Sequence, residues 1–91
     1  MAFKIIYESR VIEDDIKRLS QRDKEQIRRA VEEKLTSSPE IFGKPLRHSL
    51  KGRRKLRVGD YRVIFVIEGN EVKVLAIGHR SDIYRWFGRK L

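Results

Sequence analysis

The run Arg53-Arg54-Lys55-Leu56-Arg57-Val58-Gly59-Asp60-Tyr61-Arg62-Val63-Ile64-Phe65-Val66-Ile67-Glu68-Gly69-Asn70-Glu71-Val72-Lys73-Val74-Leu75-Ala76-Ile77-Gly78 decides the fold of this chain. It is rich in β-branched and aromatic residues, and it is interrupted at Gly59-Asp60 and at Gly69-Asn70 by residue pairs of the kind that close tight hairpins. The reading is an antiparallel meander of three strands: Arg53 to Val58, Tyr61 to Glu68 and Val72 to Gly78. If Val58 opposes Tyr61, then Arg57 opposes Arg62, Lys55 opposes Ile64 and Arg53 opposes Val66. Opposed residues share a face of the sheet. Arg53, Lys55, Arg57 and Arg62 therefore project together, while Leu56, Val58, Tyr61, Val63 and Phe65 project the other way. Placing two arginines opposite one another costs roughly a few tenths of a kcal/mol, a penalty that a bound anion removes. The same register carried through the second turn puts Lys73, Leu75 and Ile77 on the basic face. With Ile64 and Val66 they form an apolar floor that something must cover. Either the last helix (Ile83, Trp86, Phe87) folds over it or, as the first choice, a partner protein does.

Working outward, Phe3 to Tyr7 is short and β-rich, a first strand. Ser9 is placed to cap a helix in which Val11, Ile12, Ile16 and Leu19 recur at helical spacing, and Ser20-Gln21-Arg22-Asp23 resembles a capping box opening a second. Ile27, Ala30, Val31 and Leu35 line the inner face of that second helix, and Pro39 ends it. Residues 40–52 read as a loop, and Ser81 as the cap of a short final helix reaching to about Lys90. The order βααβββα specifies a single α+β domain over residues 1–91. Its expected form is a curved, mostly antiparallel four-stranded sheet with a helical hairpin on one face and a short C-terminal helix.

The net charge of +9 is unevenly placed. From Glu8 to Glu40 nine acidic residues face eight basic ones, whereas from Ile41 onward 13 Lys or Arg face four Asp or Glu. Between Ile41 and Gly59 there are seven basic residues and no acidic one. Cations fixed on paired strands make a rigid positive surface suited to a polyanion such as nucleic acid. The chain has no cysteine, which excludes a disulfide scaffold. Its longest apolar run, Val63 to Ile67, is far too short to cross a bilayer. With no signal-peptide or lipidation motif in view, a cytoplasmic protein without a membrane partner is expected. His48 and His79 lie far apart with no carboxylate paired to either, so no metal-ligand set is recognisable. No phosphate-binding Gly loop or nucleophile elbow is present either, and no cofactor is expected.

The Lys55-Leu56-Arg57 strand leading through Gly59-Asp60-Tyr61-Arg62, the meander after it and the closing Gly78-His79-Arg80-Ser81-Asp82-Ile83-Tyr84 together resemble the RelE/ParE superfamily of toxins from type II toxin–antitoxin pairs, RelE-like branch. The resemblance covers nearly the whole chain. It implies a toxin that cuts messenger RNA on the ribosome without a metal, inhibits translation and is neutralised in a hetero-oligomer by an acidic antitoxin. The family's basic pair falls at Arg53 and Lys55, its hairpin arginine at Arg62, the arginine closing the last strand at Arg80 and its C-terminal tyrosine at Tyr84. Two departures are visible: Arg53 stands where a lysine is usual, and Arg80 and Tyr84 are two residues closer than in the best-known type. ParE-type toxins share the fold but poison DNA gyrase without cleaving nucleic acid, which is the alternative.

RNA cleavage of this kind, an endoribonuclease reaction, needs the 2′-hydroxyl to attack phosphorus and leaves a cyclic phosphate. It calls for a base, cations on the phosphorane and help for the departing 5′-oxygen. Arg62 suits charge stabilisation because a guanidinium grips two phosphoryl oxygens at once. Lys55, set among arginines, suits the role of proton acceptor, Arg80 or His79 the leaving group, and Tyr84 stacking on a base. Arg53, Arg54, Arg57, Lys51 and Arg47 are the candidates for holding the RNA backbone. Lys55 and Arg53 would equally suit plain phosphate or acidic-peptide binding, and His79 a backbone contact at a strand end. Strict alternation would put His79 rather than Arg80 on the Arg62 face, unless a bulge near Gly78 intervenes.

Overall fold

The computed structural model describes residues 2–46 and 52–87, with side chains as far as Ile83. Five strands form one sheet in the order β1-β5-β4-β3-β2. They are β1 (Lys4–Tyr7), β2 (Lys44–Pro45), β3 (Arg54–Val58), β4 (Tyr61–Glu68) and β5 (Glu71–His79). Only the β1–β5 pair is parallel, with Lys4 against Glu71 and Tyr7 against Val74. The α+β class and the mostly antiparallel meander are as expected from the sequence; the strand count is not. The additional strand, β2, is two residues long and pairs Lys44 with Lys55 and Pro45 with Arg54. A proline is tolerated there because β2 is an edge, where one face of the backbone needs no donor.

The first hairpin has the register read from the sequence: Val58 opposes Tyr61, Arg57 opposes Arg62 and Lys55 opposes Ile64. Gly59 closes it at φ 59°, in the left-handed region that a side chain disfavours. The second hairpin departs from uniform pairing. Phe65 opposes Val74, but Ile64 opposes Ala76, so Leu75 is an extra residue, a β-bulge. Beyond it every face is exchanged. Ile77, expected on the basic face opposite Arg62, opposes Val63 and packs in the main core, while Ala76 takes the place expected of Leu75 beside Ile64.

The helical hairpin lies on one face, as expected, but its first half is not a regular helix. In α1 (residues 11–18) a wide π-helical stretch at Val11–Asp15 passes directly into a tight 3-10 turn at Ile16–Arg18. Ser9 does not cap it: Ser9 already lies in the helical turn, and the Glu8 carbonyl accepts the Val11 and Ile12 amides at 2.9 and 3.2 Å. Val11 and Leu19 are buried, whereas Ile12 is 51% exposed. In α2 (residues 21–35) the regular part, Gln21–Ala30, is capped by Ser20, whose hydroxyl accepts the Asp23 amide at 3.1 Å. A turn of helix, α3 (Pro39–Phe42), occupies part of the expected loop, with buried Pro39 at its start. The described residues close with α4 (Arg80–Phe87).

Two apolar layers result. Val11, Ile27, Val31 and Leu35 meet Leu56, Val63, Phe65 and Val74 between helices and sheet. On the opposite face Ile64 and Ala76 are buried under Ile83 of α4, with Leu46 and Leu75 packed alongside. The floor beside the cations is thus covered at Ile64 and Ala76 by the chain's own α4, where a partner protein was the first expectation. The expected contributions of Trp86 and Phe87 lie outside the described side chains.

Candidate functional site

Register alone assembles the cations. One cross-strand row runs Lys44, Lys55, Ile64, Ala76, and the next runs Arg57, Arg62, Gly78. Because opposed residues share a face, Lys44, Lys55, Arg57 and Arg62 stand on the side of the sheet away from the main core. Lys55 and Arg62 are half-buried, and Lys44 and Arg57 are exposed. Gly78, opposite Arg62, carries no side chain, which lets Ile83 pack closely against it; a Cβ there would come within 3.2 Å of Ile83 Cδ1.

Arg62 and Arg80 converge on one turn. The Arg62 Nη1 donates to the carbonyls of Gly59 (3.0 Å) and Tyr61 (2.9 Å). The Arg80 amide donates to the Asp60 carbonyl at 2.8 Å, and its Nε lies 3.8 Å from Asp60 Oδ1. That ion pair is exposed and adds little stability; it orients rather than holds. A guanidinium has five N–H donors, so a bond or two to the turn does not exhaust its capacity for phosphate.

His79 faces the other way. The bulge sets it opposite Tyr61, and the two rings meet edge to face with centroids 5.7 Å apart. Its Nδ1 accepts the Ser81 backbone N–H at 3.1 Å and lies 2.8 Å from Ser81 Oγ. A backbone amide can only donate, so Nδ1 is the acceptor and the neutral ring carries its proton on Nε2. His79 therefore caps α4, the role expected of Ser81. A bulge at Leu75, three residues earlier than Gly78, turns His79 off the Arg62 face. Tyr61, expected in the core, is half-buried at the rim, and its hydroxyl bonds the Asp23 carboxylate. That bond, then burial, raises its ionisation above the ordinary 10.0.

Arg54 stands apart from the row. It opposes Phe65 and so lies on the main-core side, where its Nη1 donates to the Gly43 carbonyl at 2.9 Å. Arg53 precedes β3; its carbonyl accepts the Leu46 amide at 2.8 Å, and its side chain lines a groove of about 800 Å³ with Tyr61, Gly78, His79 and Ile83. Arg47, Lys51 and the side chain of Tyr84 lie outside the described residues. Among the described residues no cluster of three or more His, Asp or Glu side chains forms that could ligate a metal. Sequence reasoning missed Lys44, because a two-residue strand has no periodicity to read. It also missed Asp60 as the partner of Arg80, since that pairing spans two strands of the meander.

Comparison with known proteins agrees with this architecture. The family model described as "ParE toxin of type II toxin-antitoxin system, parDE" matches residues 5–84. Toxin RelE of Mycobacterium tuberculosis (strain ATCC 25618 / H37Rv) is 42% identical over 53 residues, and toxin RelG of the same organism 43% over 53. Each match takes in 56% of this chain, and respectively 55% and 61% of the relative, so the chain matches little more than half the length of these curated relatives. Among solved structures, the toxin–antitoxin complex RelBE2 of Mycobacterium tuberculosis superposes with a TM-score of 0.76 at 25% identity, covering 88% of this chain and 100% of that one. Toxin RelE of E. coli, a mutant in the free state, gives 0.70 at 22% identity over 100% and 99%, a likeness of fold. The chain belongs to the ParE toxin family of type II toxin–antitoxin systems, within the RelE/ParE superfamily, and is a RelE-like toxin in its fold.

Proposed function

We propose that this toxin is a metal-independent endoribonuclease that cuts ribosome-bound messenger RNA and so stops translation. The observation that carries the reading is the opposed pair Arg57–Arg62, with Lys44–Lys55 in the adjacent row. Like charges opposed on one sheet face repel, and a bound phosphodiester relieves that repulsion while offering each guanidinium two oxygens. Lys55 accepts the 2′-hydroxyl proton as that oxygen attacks phosphorus. Arg62 and Arg57 hold the extra charge on the phosphorane, where stabilisation counts most because it grows as the transition state forms. Arg80, tethered beside Asp60, neutralises the departing 5′-oxygen, and Tyr84 stacks on a neighbouring base. The product is a 2′,3′-cyclic phosphate. His79 is directed toward Tyr61 and capping, so in this reading Arg80 serves the leaving group and His79 shapes the start of α4. Arg53 is kept as a backbone-binding residue; Arg54 is left out because of its tie to Gly43.

The partner in this reading is an acidic antitoxin, in keeping with neighbours solved as RelB complexes. The name of the matching family model supports a second reading, a gyrase inhibitor that binds without cutting. Brief induced expression in a bacterial host separates the two. Translation arrest with transcripts cut at ribosome-occupied positions is expected; DNA damage and filamentation with intact transcripts would assign the chain to the second reading.

A further inference from the structure

The bulge in β5 is held by an ion pair from α1. Beyond Val74, strand β1 has ended, so the outer edge of β5 has no strand beside it. The backbone groups of the bulge there would be left without partners. Arg10 Nη2 donates to the Leu75 carbonyl at 2.6 Å, and the Ile77 amide donates to Asp15 Oδ2 at 2.9 Å. The two side chains bond each other through both nitrogens and both oxygens at 3.2 Å. The Asp15 side chain is 11% exposed, so its bonds lie largely out of water.

The irregularity of α1 has the same origin. In a regular α-helix, residues five apart point about 140° away from one another. The wide turn at Val11–Asp15 brings Arg10 and Asp15 to one side, where a single pair reaches both backbone groups. A π-helical turn is a local cost that recurs where a function needs it. Two irregular features, in a helix and in a strand, thus share one contact.

We infer that the Arg10–Asp15 pair is a register lock: it fixes the bulge at Leu75, which sets Gly78 opposite Arg62 and delivers Arg80 to the Asp60 turn. Arg10 and Asp15 are then positioning residues for the cations of the site. With uniform pairing Ile77 would oppose Arg62 and put a side chain where Gly78 lets Ile83 pack. The functional half of this inference rests on the RNA-cleavage reading; the register half does not.

The test uses the full chain with Asp15→Ala, with Arg10→Ala (half-exposed, so its removal leaves the core intact) and with the reversed pair Arg10→Asp/Asp15→Arg. Reversal keeps the ion pair but turns a donor toward the Ile77 amide and an acceptor toward the Leu75 carbonyl. Cross-strand nuclear Overhauser contacts read the register, and amide exchange at Ile77 reads its bond. In all three variants the Arg62–Gly78 contacts are expected to weaken and Ile77 exchange to quicken. Single-turnover cleavage of ribosome-bound messenger RNA is expected to fall about a hundredfold with half-saturation nearly unchanged, as for a misplacement of about an ångström. Rescue by the reversed pair, or wild-type register in Arg10→Ala, overturns the lock. Wild-type chain that leaves messenger RNA intact on programmed ribosomes removes the cleavage reading, and the register measurements then decide the lock alone.

Discussion

At Arg62 a side chain meets Arg57 across the ladder and is tied to the turn at Gly59. If it stabilises charge that develops on phosphorus, Arg62→Ala should lower cleavage by two or more orders of magnitude, from about 2.7–4 kcal/mol of lost transition-state stabilisation, with little change in unfolding midpoint. Ribosome-programmed cleavage assays beside chemical denaturation check both. Gly43 poses a purely steric demand: a Cβ would sit 2.0 Å from Cζ of fully buried Phe65 and 2.9 Å from the Pro39 carbonyl. Gly43→Ala should cost about 1–3 kcal/mol or more, read as a lower denaturation midpoint, because neither neighbour has room to retreat. Tyr61 supplies a pH dependence. Its folded-state ionisation is raised by the Asp23 bond, so the contribution of that bond is complete below the ordinary 10.0 and is lost as pH rises through the higher folded value. A tyrosinate absorbance titration should show a group ionising above 10.0 that disappears in Tyr61→Phe.

At the scale of elements, the hairpin β3–β4 was legible because two signals agree: alternation of apolar and basic residues, and a Gly-Asp turn whose length fixes the pairing. The Ser20 cap was legible for the same kind of reason, a short-range bond between neighbours in sequence; the Asp23 carboxylate bonds Tyr61. Ser20→Ala should lower stability by about 1 kcal/mol, measured by denaturant unfolding. The irregular α1, the bulge at Leu75 and the strand β2 were not legible. Each is stabilised by groups distant in sequence, as Arg10 with Leu75 and Lys44 with Lys55 show. The start of α4 is an intermediate case: a cap was expected, and the choice of His79 over Ser81 followed from the turn of β5 toward Tyr61.

For the molecule as a whole, a charge of +9 concentrated after Ile41 makes polyanion binding strongly salt-dependent. If Lys44, Lys55, Arg57 and Arg62 each meet a phosphate, the logarithm of affinity for single-stranded RNA should fall against the logarithm of salt with a slope of about −3. Fluorescence anisotropy across salt concentrations measures it, and each single substitution to alanine should flatten the slope by about 0.7. What the sequence by itself determined is the βα-then-meander order, the core face of the first hairpin and the opposed pair Arg57–Arg62, since all three follow from local periodicity and a two-residue turn. The tertiary structure alone decided that Lys44 joins the cations, that Arg54 leaves them for Gly43, and that Arg80 rather than His79 turns toward Arg62's turn. Those outcomes depend on a bulge and an edge strand whose partners lie between 11 and 65 residues away, and contacts of that span leave no period in the chain to read.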